Sequence, residues 1–126
     1  MERRLITGHS PYEAVAGFSR AVVAGDRIHV AGTAPIPPDG SLPPEGAYEQ
    51  AALCLALVGE ALERAGASLE QVVRTRMYVT APEHWPEVAR AHGEAFRDVR
   101  PAATCVVSGL LDPAWKVELE VEAVLP

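Results

Sequence analysis

Lysine is nearly missing from this 126-residue chain: Lys116 is the single example, and the 11 basic residues form no cluster among 17 acidic ones. With a net charge of −6 and no basic stripe, the chain lacks the usual means of displacing counterions from phosphates, so nucleic acid is not an expected partner. Cysteine occurs only as Cys54 and Cys105, far from any Cys-x-x-Cys metal or redox spacing. Two such thiols, with no secretory segment, read as free cysteines of a reducing cytosol. Residues 1–9 hold no apolar stretch of signal-peptide length, and the longest wholly apolar run, residues 51–58, is too short to cross a bilayer. A cytoplasmic protein that does not engage membranes is expected. No two of the four histidines stand at the i, i+4 spacing of a zinc-enzyme helix, and no glycine-rich segment matches a phosphate loop, so neither metal nor cofactor is expected.

What is present is an ordinary globular composition, 48% apolar and 22% charged, in a length that suits one domain spanning residues 1–126. After a short amino-terminal strand, two extended segments flank Gly25-Asp26 and predict a β-hairpin over residues 20–32. Prolines 35, 37, 38, 43 and 44 lack the backbone donor that a helix or inner strand needs, so that stretch is a loop. Good helix formers then fill residues 45–65, up to Gly66 as a left-handed cap, and the apolar middle of this helix predicts burial on more than one side. In residues 72–80, Val73, Thr75, Met77 and Val79 alternate with Arg74, Arg76, Tyr78 and Thr80, which is strand periodicity. A second helix over residues 83–99 would bury Trp85, Val88, Ala89, His92 and Phe96, with Pro86 tolerable in its first turn. Strands over 102–109 and 114–124 complete an α+β domain, one sheet with two helices on one face. Val22, Val30, Val106, Val117, Leu119 and Val121 suggest a sheet apolar on both faces, whose second cover would come from an oligomer.

Pro101-Ala102-Ala103-Thr104-Cys105, followed by Val117-Glu118-Leu119-Glu120-Val121-Glu122-Ala123, resembles the carboxy-terminal signature of the RidA (YjgF/YER057c/UK114) family. Gly17-Phe18-Ser19-Arg20-Ala21-Val22, Ala31-Gly32-Thr33, Gln50, and the passage from Ala65 through Val73 are similar to further family segments in the same order. The resemblance covers nearly the whole chain. It implies a chorismate-mutase-like α+β fold, a homotrimer, and a small-molecule cleft at each subunit boundary.

In catalytic family members that cleft carries an arginine for the substrate carboxylate, a cysteine two residues on, a tyrosine, a serine before glycine, and a strand glutamate. The matching positions here are Ala103, Cys105, Phe18, Ala31 and either Glu118 or Glu120. The resemblance thus marks Glu118, Glu120 and Cys105 as catalytic candidates, and Phe18, Arg20, Ala31, Gly32, Thr33, Ala103 and Thr104 as substrate-binding candidates. A guanidinium binds a carboxylate through two charge-assisted hydrogen bonds, and the methyl group of Ala103 cannot. Arg20, two residues from Phe18, and Arg100, just outside the strand, are the candidate replacements. Parity does not separate Glu118 from Glu120, because residues two apart share a strand face.

Simpler readings stand beside these. Cys105 is a small strand residue with no adjacent histidine to activate it, Cys54 is a core residue, and His92 is a packed helix residue. Two functions remain open. One is an enamine/imine deaminase-type hydrolase of altered specificity, for which 2-aminoacrylate-type substrates fit poorly because Ala103 replaces the arginine. The other is a non-catalytic trimer that binds a metabolite or a protein partner. The endoribonuclease or translation-inhibitor role attached to some relatives fits the acidic chain least.

Overall fold

A computed structural model describes residues 2–126 and contains six strands and three α-helices. In chain order these are β1 (Arg3–Ile6), α1 (Tyr12–Ala16), β2 (Ala21–Ala24), β3 (Arg27–Thr33), α2 (Ala47–Arg64), β4 (Val72–Val79), α3 (Trp85–Phe96), β5 (Ala102–Val107) and β6 (Val117–Val124). The strands form one sheet in the order β1-β2-β3-β6-β4-β5. All neighbours run antiparallel except β4 and β5. That parallel pair needs a long crossover, and α3 supplies it. The α+β class expected of the sequence is the one observed. The short helix α1, which buries no residue, was not foreseen.

Helix α2 turns Ala47, Gln50, Ala51, Cys54, Leu55, Val58, Ala61 and Leu62 into the core, a stripe at helical spacing. Ala52 and Ala56 are exposed, so the apolar middle is buried on one broad side rather than all round. The helix stops in a Schellman arrangement. Gly66 at φ +96° donates to the Glu63 carbonyl, and Ala67 donates to that of Leu62. Gln50 ties the helix to two loops. Its Nε2 donates to the carbonyls of Pro44 (2.8 Å) and Ala114 (2.9 Å), and its Oε1 accepts the Lys116 N–H at 2.7 Å.

The covered sheet face holds Val23, Ile28, Val30, Thr33, Thr75, Met77, Val79, Val117, Leu119, Val121 and Ala123, all buried. The opposite face is not apolar through its centre. Arg74, Arg76 and Tyr78 of β4 lie beside Glu118, Glu120 and Glu122 of β6. Arg76 donates to Glu122 at 3.1 Å, and His29 Nδ1 stands 4.0 Å from the same carboxylate. The expectation of a two-sided apolar sheet is corrected at its centre: Val30, Val117, Leu119 and Val121 all serve the covered face, and Val22 of β2 and Val106 of β5 lie on the open one.

Two further expectations shift locally. A register irregularity between Val72 and Arg74 against β6 breaks the alternation, burying Val72 and leaving Val73 exposed. At the start of α3, a 3₁₀ turn over Pro82–His84 re-aims the chain, so Trp85 is 43% exposed while Val88, Ala91 and Phe96 enter the core.

Candidate functional site

The candidate residues collect in two places, and the sheet itself explains the division. The carboxyl groups of Glu118, Glu120 and Glu122 occupy the open face, because β6 buries the residues between them. On β5, Ala103 and Cys105 pair with Thr75 and Met77, whose side chains point to the helices. Ala103 and Glu118 therefore lie on opposite faces, separated by β4.

The first place is built on a bulge. Val30 of β3 pairs with Val121 and Thr33 pairs with Leu119, so Ala31 and Gly32 together oppose one residue of β6. The carboxyl of Glu118 fills the space beside Gly32, where a side-chain methyl would collide with its Oε2. Burial pushes the Glu118 carboxyl above the usual carboxylate range; Arg20 opposes that rise and Glu120 adds to it. The other two glutamates are engaged. Tyr78 donates its hydroxyl to Glu120 at 2.5 Å, which raises the Tyr78 phenol, while Glu122 holds Arg76. Glu118 makes no side-chain hydrogen bond or ion pair among the described residues. A groove of about 330 Å³ is lined by Arg3, Phe18, Val22, His29, Ala31 and Glu120, among others, with Glu118 outside its lining.

Arg20 lies under this surface rather than across it. Its Nη2 donates to the carbonyls of Ala31 (2.6 Å) and Gly32 (3.0 Å) and to Thr33 Oγ1 (2.8 Å). Thr33 is fully buried and donates a hydrogen bond from its hydroxyl to the Ala31 carbonyl at 2.9 Å. Nearby, Glu13 of α1 accepts the Gly8 N–H with both carboxylate oxygens, at 3.1 and 3.0 Å.

The second place is a groove of about 540 Å³ between β5 and the start of α3, lined by Met77, Val79, Pro82, Trp85 and residues 103–107. Nothing in that lining is charged. Burial pushes the Cys105 thiol up, away from the reactive thiolate. Thr104 points to the open face and accepts a hydrogen bond from Arg74 at 2.7 Å. Arg100 donates to the Arg97 carbonyl rather than into the groove. No group of three or more metal-ligating side chains occurs among the described residues, and no helix is long and apolar enough to cross a membrane.

Sequence reasoning missed three contributors. Trp85 had been assigned to the core. Tyr78 sits at open-face parity with the glutamates, a signal that could have paired it with Glu120. Glu13 gave no signal, because the fold at Gly8 brings it in.

These features define an α+β domain whose mixed sheet carries one cluster of candidate residues at a central bulge and another at an edge strand. The endoribonuclease L-PSP family description matches residues 7–125, and the chain belongs to that family, also known as RidA or YjgF/YER057c/UK114, with its chorismate-mutase-like fold. An uncharacterized protein of Streptomyces coelicolor is 41% identical over 122 residues, covering 96% of this chain and 90% of that protein. The crystal structure of a YjgF/YER057c/UK114 member from Mycobacterium tuberculosis superposes with a TM-score of 0.89 at 35% identity, covering 98% of this chain and 100% of that one. A 2-iminobutanoate/2-iminopropanoate deaminase of Capra hircus is 28% identical over 123 residues, 97% of this chain and 90% of the relative.

Proposed function

We propose that this protein is an imine or enamine hydrolase acting at clefts between copies of itself, on substrates that carry no carboxylate at the Ala103 position. One observation carries the reading. Glu118 offers a half-buried, unengaged carboxyl over Gly32, while the half-site that would hold a substrate acid presents only the methyl group of Ala103 among uncharged neighbours. The goat relative's name supplies the reaction class.

The chemistry needs little machinery. Water adds to the carbon of C=N, Glu118 accepts the proton that water loses, and the nitrogen gains a proton. Collapse of the resulting carbinolamine breaks the C–N bond, leaving a carbonyl and ammonia. A carboxylate with raised proton affinity is a better base for that step than an ordinary one. For an enamine, protonation at carbon precedes the same sequence. Cys105 lines the cleft in this reading and is not a nucleophile.

Self-association joins the two places. The bulge half-site and the β5 half-site lie on different faces of one protomer, so a closed ring in which each copy offers one half to the next would complete three equivalent clefts. Exposed apolar side chains support this at both ends: Tyr12, Val15 and Phe18 near the first half-site, and Trp85, Val106 and Val107 near the second. Light scattering tests the trimer, and a monomeric mass would undo it.

The reaction is tested by generating imines in situ from amines and amino acids and following semicarbazone trapping with and without the protein. Faster loss of carboxylate-free imines is the expected result. No acceleration with any imine would leave the non-catalytic binding trimer as the better account. Ribonuclease action has the least support, since Arg76 is neutralised by Glu122 and the net charge is −6.

A further inference from the structure

We propose that Arg20 is a positioning residue, which holds the β3 bulge open beneath the Glu118 carboxyl and supplies the positive charge that this carboxyl faces. The inference rests on the reading of Glu118 as the proton-accepting group, and it withdraws Arg20 from the role of substrate clamp.

The geometry starts with the backbone. Arg20 donates its N–H to the Ile6 carbonyl at 2.9 Å and accepts the Ala31 N–H at 3.0 Å, so its main chain already bridges β1 and β3. From there the side chain turns back under the bulge. One nitrogen, Nη2, meets the two successive carbonyls of Ala31 and Gly32 as well as the Thr33 hydroxyl. Carbonyls at a bulge have lost their ladder partners, so these bonds satisfy groups that the irregular pairing leaves free. Holding Ala31 and Gly32 in that conformation keeps the side-chain-free edge of Gly32 under Glu118, where any Cβ would strike the carboxylate.

The charge has a separate purpose. The Arg20 Nε is buried without a hydrogen-bond partner, a cost of desolvation that carbonyl binding alone does not offset. Burial lowers the proton affinity of the guanidinium, and the field of two carboxylates, Glu13 of α1 and Glu118 of β6, opposes that fall. The groups that bear on Glu118 are Arg20 from the segment before β2, Glu120 beside it on β6, and the Cys54 thiol of α2, which burial keeps neutral. Tyr78 of β4 lies opposite Glu118 but spends its hydroxyl on Glu120. Arg20 is the one cation among them.

The test reads Glu118 directly, without substrate. Carbon-13 titration of its side-chain carboxyl is compared in the native protein, Arg20→Gln and Arg20→Lys. Loss of the charge in Arg20→Gln should move the titration to higher pH, while Arg20→Lys should leave it close to native and speed amide exchange at residues 31–33. A folded Arg20→Gln protein that titrates like the native one overturns the inference. Should that variant fail to fold, the native protein supplies the second measurement. The nitrogen-15 signal of the buried Arg20 Nε–H should shift as Glu118 titrates and lose that transition in Glu118→Gln; an Nε–H signal blind to the transition overturns the inference equally. If no imine is hydrolysed, the proposed reaction fails while these titrations still decide the role of Arg20.

Discussion

Replacing Ala103 by arginine restores a carboxylate-binding group where the structure has room for it. Ala103 is exposed on the edge strand and opens on a groove of about 540 Å³ with no acidic side chain in its lining, so the new guanidinium finds neither a clash nor a competing anion. Hydrogen bonds to charged groups contribute about 1.5–3 kcal/mol each when well placed. The edge-strand position stays partly wet in the protomer, so about 1.5–3 kcal/mol for the whole fork is the appropriate range, or roughly 10- to 150-fold in relative kcat/KM. The assay compares an imine made by oxidation of alanine with one made from a carboxylate-free amine, under identical trapping conditions. Ala103→Arg should raise the ratio of acidic to neutral substrate by that factor. An unchanged ratio, in a variant with native mass and melting temperature, would show that position 103 does not meet the substrate and would refute the division of the site into an Ala103 half and a Glu118 half.

Other outcomes follow from the same geometry. Gln50→Leu keeps the side-chain volume but strips partners from two carbonyls and one N–H, costing about 3 kcal/mol at roughly 1 kcal/mol each. For 126 residues that lowers the melting temperature by about 11 °C at fixed protein concentration; a drop below about 4 °C would mean that water replaces the bonds. With Glu118 as the base, hydrolysis should rise with pH through a midpoint above the ordinary carboxylate range, and Glu118→Gln should abolish that limb. Gly32→Ala should abolish it too, with little loss of stability, since Gly32 is not at positive φ and the new methyl displaces only the carboxylate. His92, held by Thr75 at 2.8 Å, has its imidazole lowered by burial. The unfolded state therefore binds the proton first, and stability should fall as pH drops below the ordinary histidine value of about 6.5. Urea melts between pH 7 and 5 should show a decline that His92→Gln flattens.

The parts of the fold legible in the sequence were those set by short-range chemistry. Gly66 lies at the left-handed position that ends α2, the prolines of 35–44 form a loop, and Gly25 turns the β2–β3 hairpin at φ +62°. The bulges were hidden, because the alternation of β4 and β3 reads as continuous until the pairing with β6 is known. That is why Val73 was placed on the wrong face and why the crowding of Gly32 by Glu118 could not be seen. Trp85 failed for a different reason. Its spacing from Val88 and Phe96 fits one helical face, yet the 3₁₀ turn that precedes α3 lifts the first residue off that face. Parity put the three glutamates together correctly, but only the partners on β4 and the segment before β2 distinguish one from another: Tyr78 occupies Glu120, Arg76 occupies Glu122, and Arg20 underlies Glu118.

That distribution of partners bears on what the cleft can recognise. A carboxylate-bearing substrate needs a cation facing outward, and four of the cations near the candidate residues are engaged: Arg20 by the bulge, Arg76 by Glu122, Arg74 by Thr104 and Arg100 by its own helix end, while Arg3 lines the Phe18 groove and not the Ala103 groove. Of the three open-face glutamates, Glu118 is the one without a side-chain partner among the described residues. In the proposed cleft, a negative group of raised proton affinity facing an uncharged groove with an exposed indole would disfavour a second anion and favour a protonated nitrogen carried on an apolar body. Iminium ions formed from simple amines have those two properties together. Iminium ions formed from amino acids carry the carboxylate as well, and in the proposed cleft that group would meet Ala103.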